Sequence, residues 1–459
     1  MPRSRLLAAA LVGVAACRPT VPVPAPVRPP LAPLTTDEQR LRDAVRAGYD
    51  DAIALLERAV NIPSGTHNTA GVRQVGDLFG AELRQLGFAV RWAELPPEMH
   101  RAGHLVAVHT PAGGPARGPR LLLIGHLDTV FEGDNQRWVR EDTMARGAGT
   151  SDIKGGDVAM LLALRALRTA GLLDSMQVTV VMTGDEELPA RPLAVARAAL
   201  ADAARQSDLA LAFEGGSATR VAIGRRGAST WRLDVTARQA HSSGVFARGV
   251  GTGAVYEGAR ILDAWRTEMS GERGLTFNVG LVGGGAHVTV DSTGSALTAD
   301  GKDNIIAPAF HAAGDLRFLN EQQKEQARRR MRLVVASPLE GAQSRVEFED
   351  GYPAMPVTAA GERLLAMFDG ASRALGYPAV STTPPESRGA GDVSFVAALV
   401  PGIDELGVDG AGSHSPRELV YLPSVRMSAE RAAVFMARLA REWPAGASPA
   451  PRADVQPAF

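Results

Sequence analysis

Residues 120–130 read RLLLIGHLDTV, and this stretch decides how the rest of the chain is read. Positions 121–124 form a continuous apolar run, of the length that suits a strand buried on both faces. The run ends at Gly125, and His126 and Asp128 follow, two positions apart. On extended backbone, residues two apart point the same way. An imidazole and a carboxylate therefore project together from the end of a buried strand. In open α/β folds, that carboxyl edge is where ligands bind. A satisfied histidine at a strand end would look the same in isolation. The two readings separate on whether similar side chains recur at similar places.

They recur four times. The glycine-rich loop 147–156, GAGTSDIKGG, carries Asp152 and feeds a helical pattern at about 158–170. A second buried run, 178–182, leads into TGDEEL with Glu186 and Glu187. A third, 209–213, ends at Glu214, and near the C-terminus GSHSP presents His414. Apolar strands that end in acid or imidazole, separated by helix or loop, predict a mostly parallel sheet with its site at the carboxyl edge. Carboxylate and imidazole without thiolate suits a hydrolytic zinc site, with manganese or cobalt as substitutes. A shared carboxylate can hold two ions side by side.

Upstream of the opening strand, a helical pattern runs from Thr36 to about Val60, and a second from about Asn68 to Leu86 with Gly87 as its cap. Residues 89–93 and 105–109 read as strands. The pattern changes at about 224. From there to about 352 the order is β-α-β-β-α-β, a ferredoxin-like α+β unit inserted in the first domain. Helical character returns at 358–375, after Asp392, and from Ser428 to Glu442. The division is a catalytic domain in two parts, 36–223 and 353–444, around an insertion at 224–352. A Pro/Ala tail, 445–459, is expected to be disordered.

The N-terminus has its own grammar. Arg3 and Arg5 precede an apolar segment, 6–16, too short to span a bilayer. It ends Val14-Ala15-Ala16-Cys17, with the small residues of a secretory cleavage site. The ending resembles a bacterial lipoprotein box in which Cys17 is lipidated; a plain signal peptide cut near Ala16 is the other reading. Either one exports the protein, and the lipoprotein reading anchors it to a membrane facing the periplasm. Residues 18–35 are a proline-rich spacer. Cys17 is the single cysteine, so the folded part has no disulfide and no thiolate ligand. With 50 acids against 49 bases, charge makes no case for a nucleic-acid partner.

Taken in order, GHLDTV, GAGTSDIKGG, TGDEEL, FEGG and GSHSP resemble the metal motifs of the peptidase M twenty family, over about residues 36–444. That family includes glutamate carboxypeptidases, aminoacylases, acetylornithine deacetylases and succinyl-diaminopimelate desuccinylases. The resemblance is greatest to the glutamate carboxypeptidase-like branch. It implies a di-zinc exopeptidase-type catalytic domain with an inserted dimerisation or lid domain. It assigns His126, Asp152 and Glu214 to one zinc, and Asp152, Glu187 and His414 to the other. Asp128 would orient His126, and Glu186 would be the general base. The resemblance also implies a cis peptide between Asp152 and Ile153. In family dimers a histidine matching His241 reaches the neighbouring subunit's site and donates to the oxyanion. Asn304 and Arg317 match substrate-binding positions, the arginine for a substrate carboxylate.

The implied reaction is hydrolysis of a terminal peptide or acyl-amino-acid amide by a metal-activated water, carboxypeptidase-like, on a small peptide or N-acyl amino acid. An N-acyl-amino-acid deacylase or a dipeptidase on the same site is the alternative. A binding lipoprotein that had lost the chemistry would lack ligands, and none is missing. His67, His100, His104, His109, His287 and His311 fall in no matching motif and read as structural or exposed. Three features depart from the family. Residues 286–303 replace a very short link and read as an extended hairpin, at the dimer face or over the site. Arg388 and Ala390 stand where the carboxypeptidase branch has glycines. Gly351-Tyr352-Pro353 lacks an arginine common there.

Overall fold

The computed structural model describes residues 33–443, apart from 112–115, 134–135 and 388. The expected signal segment with Cys17, nearly all of the proline-rich spacer, Arg388 and the 445–459 tail lie outside the described residues. Among the described residues, no helix is long and apolar enough to cross a membrane.

The opening strand is Leu121–His126, and all six of its residues are buried. It pairs in parallel with Val178–Thr183 on one side and Leu209–Ala212 on the other. The six-stranded sheet continues through His104–His109 to Ala89–Ala93 at one edge and ends with Gly402–Ile403 at the other. His104–His109 alone runs against its neighbours, so the sheet is mostly parallel, as expected. Successive side chains of a strand face opposite sides, and this strand feeds two cores. Leu121 and Leu123 pack with the helices Thr36–Ala47, Lys154–Thr169 and Leu422–Glu442. Leu122 and Ile124 pack with Leu200, Phe395 and Val396 on the other face. The uninterrupted apolar run reflects this double cover.

Two helix boundaries differ from the sequence reading. The pattern from Thr36 to Val60 is two helices, Thr36–Ala47 and Tyr49–Val60. Gly48 ends the first through its N–H to Ala44 and opens the second through its carbonyl to Ala52. A Cβ there would stand 3.0 Å from Leu162 Cδ1. The break thus sits at a close approach to the Lys154–Thr169 helix. The last helix begins at Leu422 rather than Ser428, with a proline in its first turn. A proline there costs the helix no hydrogen bond.

Between the two parts of this unit, the chain builds a second, antiparallel sheet. Its strands are Ala309–Phe318, Gly227–Ala237 and Ala342–Asp350, and the short Thr276–Phe277 and Leu281–Gly285 share the outer edge. The helices Ala254–Met269 and Glu321–Val335 cover one face over a separate core. Trp231 and Trp265 meet edge-on in that core, 5.1 Å apart. The order is the ferredoxin-like one read from the sequence. Residues 286–303 do form a hairpin, His287–Val290 against Leu297–Asp300. It folds back over the inserted sheet, where its tip at Thr293 and Gly294 faces Thr230 and Arg232. The two crossings between the units run side by side. Arg225 bridges Met355, Ala228 N–H donates to Tyr352 O at 2.8 Å, and Gly351 N–H donates to Ala228 O at 3.1 Å.

Candidate active site and metal centre

His126 ends the central strand with its ring buried. Its Nδ1 lies 3.0 Å from the main-chain carbonyl of Asp128. A carbonyl only accepts, so Nδ1 carries a proton and Nε2 is the ring atom that faces the cleft. That Nε2 is buried and has no hydrogen-bond partner among the described residues. It points at Asp152 Oδ1, 3.4 Å away, and Glu214 Oε1, 3.8 Å away.

The Asp128 carboxylate does a second job beside the orienting one that the resemblance implies. It stands 3.5 Å from the His126 ring. It accepts hydrogen bonds from Thr66 Oγ1 at 2.7 Å, Glu186 N–H at 3.0 Å and Glu187 N–H at 3.2 Å. Its main chain therefore fixes the histidine tautomer, while its side chain holds the backbone of the two acids. Burial opposes its charge, but the His126 imidazole and these donors keep its carboxyl below the usual range.

Asp152 sits on the loop before the Lys154–Thr169 helix, and its peptide bond to Ile153 is cis. One carboxylate oxygen faces His126, and the other faces His414 Nε2 at 3.2 Å. His414 Nε2 is also 3.1 Å from Glu187 Oε2. Burial works against the Asp152 charge, yet the two imidazoles hold its carboxyl well below the ordinary value. The ligand atoms of His126, Asp152 and Glu187 lie within 4.8 Å of one another, and so do those of His126, Glu186 and Glu214.

A small sheet brings His414 across from the far end of the chain. Gly410–Ala411 pairs with Leu419–Tyr421, which pairs with Met144–Arg146, and Val139–Glu141 completes the set. The His414 turn hangs between its first two strands, with His414 itself at φ 60°. Strands of two or three residues carry no readable periodicity, so this device was invisible in the sequence. Glu418 locks it. Its carboxylate accepts from Gly149 N–H at 3.0 Å, Ser151 N–H at 2.8 Å, Asp152 N–H at 3.0 Å and Ser151 Oγ at 3.1 Å. An acid four residues beyond His414 was the only available signal. Beneath the same loop, Lys154 Nζ donates to the carbonyls of Ala59 and Ile62. Burial pushes that ammonium down to about 7.

Other residues that sequence reasoning missed support the site from below. A Cβ on Gly125 would meet Asp157 Oδ1 at 1.9 Å, so only glycine fits at this close approach. The fully buried Arg197 bridges Asp185 at 2.6 Å and Asp392 at 2.9 Å, directly behind the two acids. Arg225, also buried, donates to Asp404 at 2.6 Å and to the carbonyl of Gly389 at 2.9 Å.

The acids border a cleft of ≈ 450 Å³ together with His414, Arg225, Gly389 and Ala390. Burial, then the charge of Glu214, pushes the Glu186 carboxyl well up, and burial pushes Glu214 up to about 8. Hydrogen bonds to Asp152 and Glu187 push His414 up to about 10. His241, Asn304 and Arg317 do not line this cleft. His241 and Asn304 are exposed neighbours, joined through Ser242 N–H to Asn304 O at 2.9 Å, and Arg317 pairs with Asp315. Of the histidines outside the motifs, His104, His109 and His311 are buried with partners, and His67, His100 and His287 are exposed.

Glutamates that resist ionisation, gathered with Asp152 round an imidazole nitrogen with no partner, mark a site with more carboxylates than cations to neutralise them. Such a donor set fits a divalent cation of the zinc type. The family model of peptidase family M20/M25/M40 matches residues 122–441, and the chain belongs to that family. It is 26% identical to carboxypeptidase G2 of Pseudomonas sp. (strain RS-16) over 387 residues, 80% of this chain and 83% of that protein. It is 32% identical to succinyl-diaminopimelate desuccinylase of Methylobacterium radiotolerans over 208 residues, 42% of this chain and half (50%) of that one. Its fold is similar to that of aminopeptidase PepT from Bacillus cereus ATCC 10987, with TM-score 0.67 and 17% identity over 85% of this chain and 99% of that one. The protein is therefore a metal-dependent hydrolase of peptide or acyl-amino-acid bonds.

Proposed function

We propose that the protein is a carboxypeptidase-like exopeptidase that works with two zinc ions, replaceable by manganese or cobalt. It cleaves the amide next to a terminal residue with a free carboxylate. The observation that carries this reading is the division of Asp152, whose two oxygens face two different imidazoles at 3.4 and 3.2 Å. His126, Asp152 and Glu214 would hold one ion, and Asp152, Glu187 and His414 the other. When bound, the ions acidify a water and polarise the scissile carbonyl.

The chain's own residues supply the rest. Glu186 takes the proton of the attacking water and later delivers it to the leaving amine nitrogen. Its carboxyl borders the cleft, where it can hold a proton between those two events. Asp128 keeps Glu186 and Glu187 in register through their N–H groups. In a homodimer, His241 of the second subunit would donate to the oxyanion. Asn304 and Arg317 would hold the substrate, the arginine pairing with its carboxylate. The export signal and lipidation at Cys17 would place the enzyme on a membrane surface, facing the periplasm.

The carboxypeptidase among the relatives, matched over most of its length, favours a peptide or acyl-glutamate substrate. The desuccinylases favour an N-acyl amino acid instead. Hydrolysis of dipeptides, N-acetyl amino acids and acyl-glutamates by the zinc-loaded protein separates these. Glu186→Gln with metal content retained should lower kcat ~10²–10⁴-fold. A variant that keeps its metal and near wild-type turnover would overturn the assignment of Glu186.

A further inference from the structure

We infer that Tyr352 is a positioning residue for Glu186, and that through it the joint between the two units sets the direction of the proton-carrying acid. The inference rests on the role of Glu186 proposed above.

Tyr352 lies in the returning crossover, where its main-chain carbonyl accepts from Ala228 N–H at 2.8 Å. Its ring packs on Phe395 of the catalytic unit, 4.9 Å between centroids. The hydroxyl reaches the loop after the Val178–Thr183 strand. It donates to the Glu186 carbonyl at 2.6 Å and stands 3.4 Å from Glu186 Oε1. A phenol has one proton, and the shorter contact takes it. The oxygen is then a fixed wall beside the carboxylate.

Glu186 is thereby pinned on both of its peptide groups. Asp128 holds the N–H at 3.0 Å, and Tyr352 holds the C=O. With both flanking peptides fixed, the Cα–Cβ direction along which the side chain leaves the loop is fixed too. The two anchors come from different places. Asp128 follows the central strand, whereas Tyr352 belongs to the segment leaving the inserted unit. A second tie repeats the pattern five residues on. Arg191 Nη1 donates to the carbonyl of Asp350, the last residue of the Ala342–Asp350 strand, and the Arg191 side chain lies 3.5 Å from Glu349. The loop that carries Glu186 is thus fastened to the end of the inserted sheet at two points. Rotation of that sheet about the joint would move the acid's main chain, and small displacements of a reacting group are costly.

The test is Tyr352→Phe in the full-length, metal-loaded protein. This removes one oxygen and leaves the ring on Phe395. The expected result is a kcat lowered ~10-fold, with KM within about twofold of wild type. Metal content should be unchanged, and Tm should stay within ~2 °C. A merely structural tyrosine gives the reverse: a lower Tm with kcat per folded, metal-loaded molecule unchanged. That result overturns the inference, as does full turnover by Tyr352→Phe when Glu186→Gln is inactive. An active Glu186→Gln overturns the reading beneath, and this inference with it.

Discussion

Replacing Glu418 by glutamine tests how the two distant halves of the metal centre are held together. The carboxylate accepts three N–H groups and one hydroxyl from residues 149–152. Glutamine keeps one acceptor oxygen and turns the other into a donor. In its best orientation the oxygen stays with Ser151 and Asp152, and the amide NH₂ faces the N–H of Gly149. One buried N–H is then unpaired, at ~1–3 kcal/mol, and the remaining bonds lose their charge assistance, at ~1 kcal/mol each. Because such losses do not add fully, about 3 kcal/mol is the expected total. The loss falls on the loop that carries Asp152. Removing an orienting partner of a ligand costs ~10–100-fold in metal affinity, which agrees with that total.

Two measurements read this out. Titration with chelator-buffered zinc should show weakened binding, with turnover recovering at high metal. Melting of the metal-free protein should fall by ~3–4 °C. If zinc affinity and the melting temperature both match wild type, Glu418 does not hold the loop.

Two further outcomes follow from the same geometry. In the metal-free protein, Glu214 is pushed up from 4.5 to about 8, and His414 from 6.5 to about 10. Both bind their proton more tightly when folded, so their stabilisation is full below the unfolded values and fades as pH rises through the folded ones. Asp152, held low, gives the opposite limb and loses its contribution as pH falls below 3.8. The melting temperature of the metal-free protein should therefore fall from about pH 4.5 to 10, most steeply between 6.5 and 8 where the two ranges overlap, and zinc should flatten the slope by replacing protons; a curve that is flat without zinc would contradict the charge arrangement. The dimer reading is tested by mixing two inactive variants, Glu186→Gln and His241→Ala. If His241 serves the partner's site, random reassociation creates intact sites, roughly a quarter of the total, and activity returns, whereas no recovery despite subunit exchange would refute a shared site.

The part of the site legible in the sequence was the part carried at the ends of long elements. His126 and Glu186-Glu187 follow apolar strands, and Asp152 precedes a long helix, so periodicity announced where each would stand. The inserted unit was legible for the same reason, because its strand Gly227–Ala237 alternates buried and exposed residues along its length. Gly48 shows the opposite case. The helical pattern runs through it, and the close approach of Leu162 at the break is visible only in the folded chain.

The sequence alone, then, determined the α/β class, the insertion and the identity of the acids and imidazoles, because burial period and side-chain chemistry are local properties. Tertiary structure decided the partnerships. It tied Asp128's carboxylate to the backbone of Glu186 and Glu187 as well as to the His126 ring, and set the Asp128 carbonyl against the same imidazole. It brought in Glu418 and Tyr352, neither of which belongs to a strand-end pattern. It also left His241, Asn304 and Arg317 outside the cleft of the single chain. Hydrogen bonds between residues far apart in the chain depend on how the units dock, and docking leaves no period in the sequence to read.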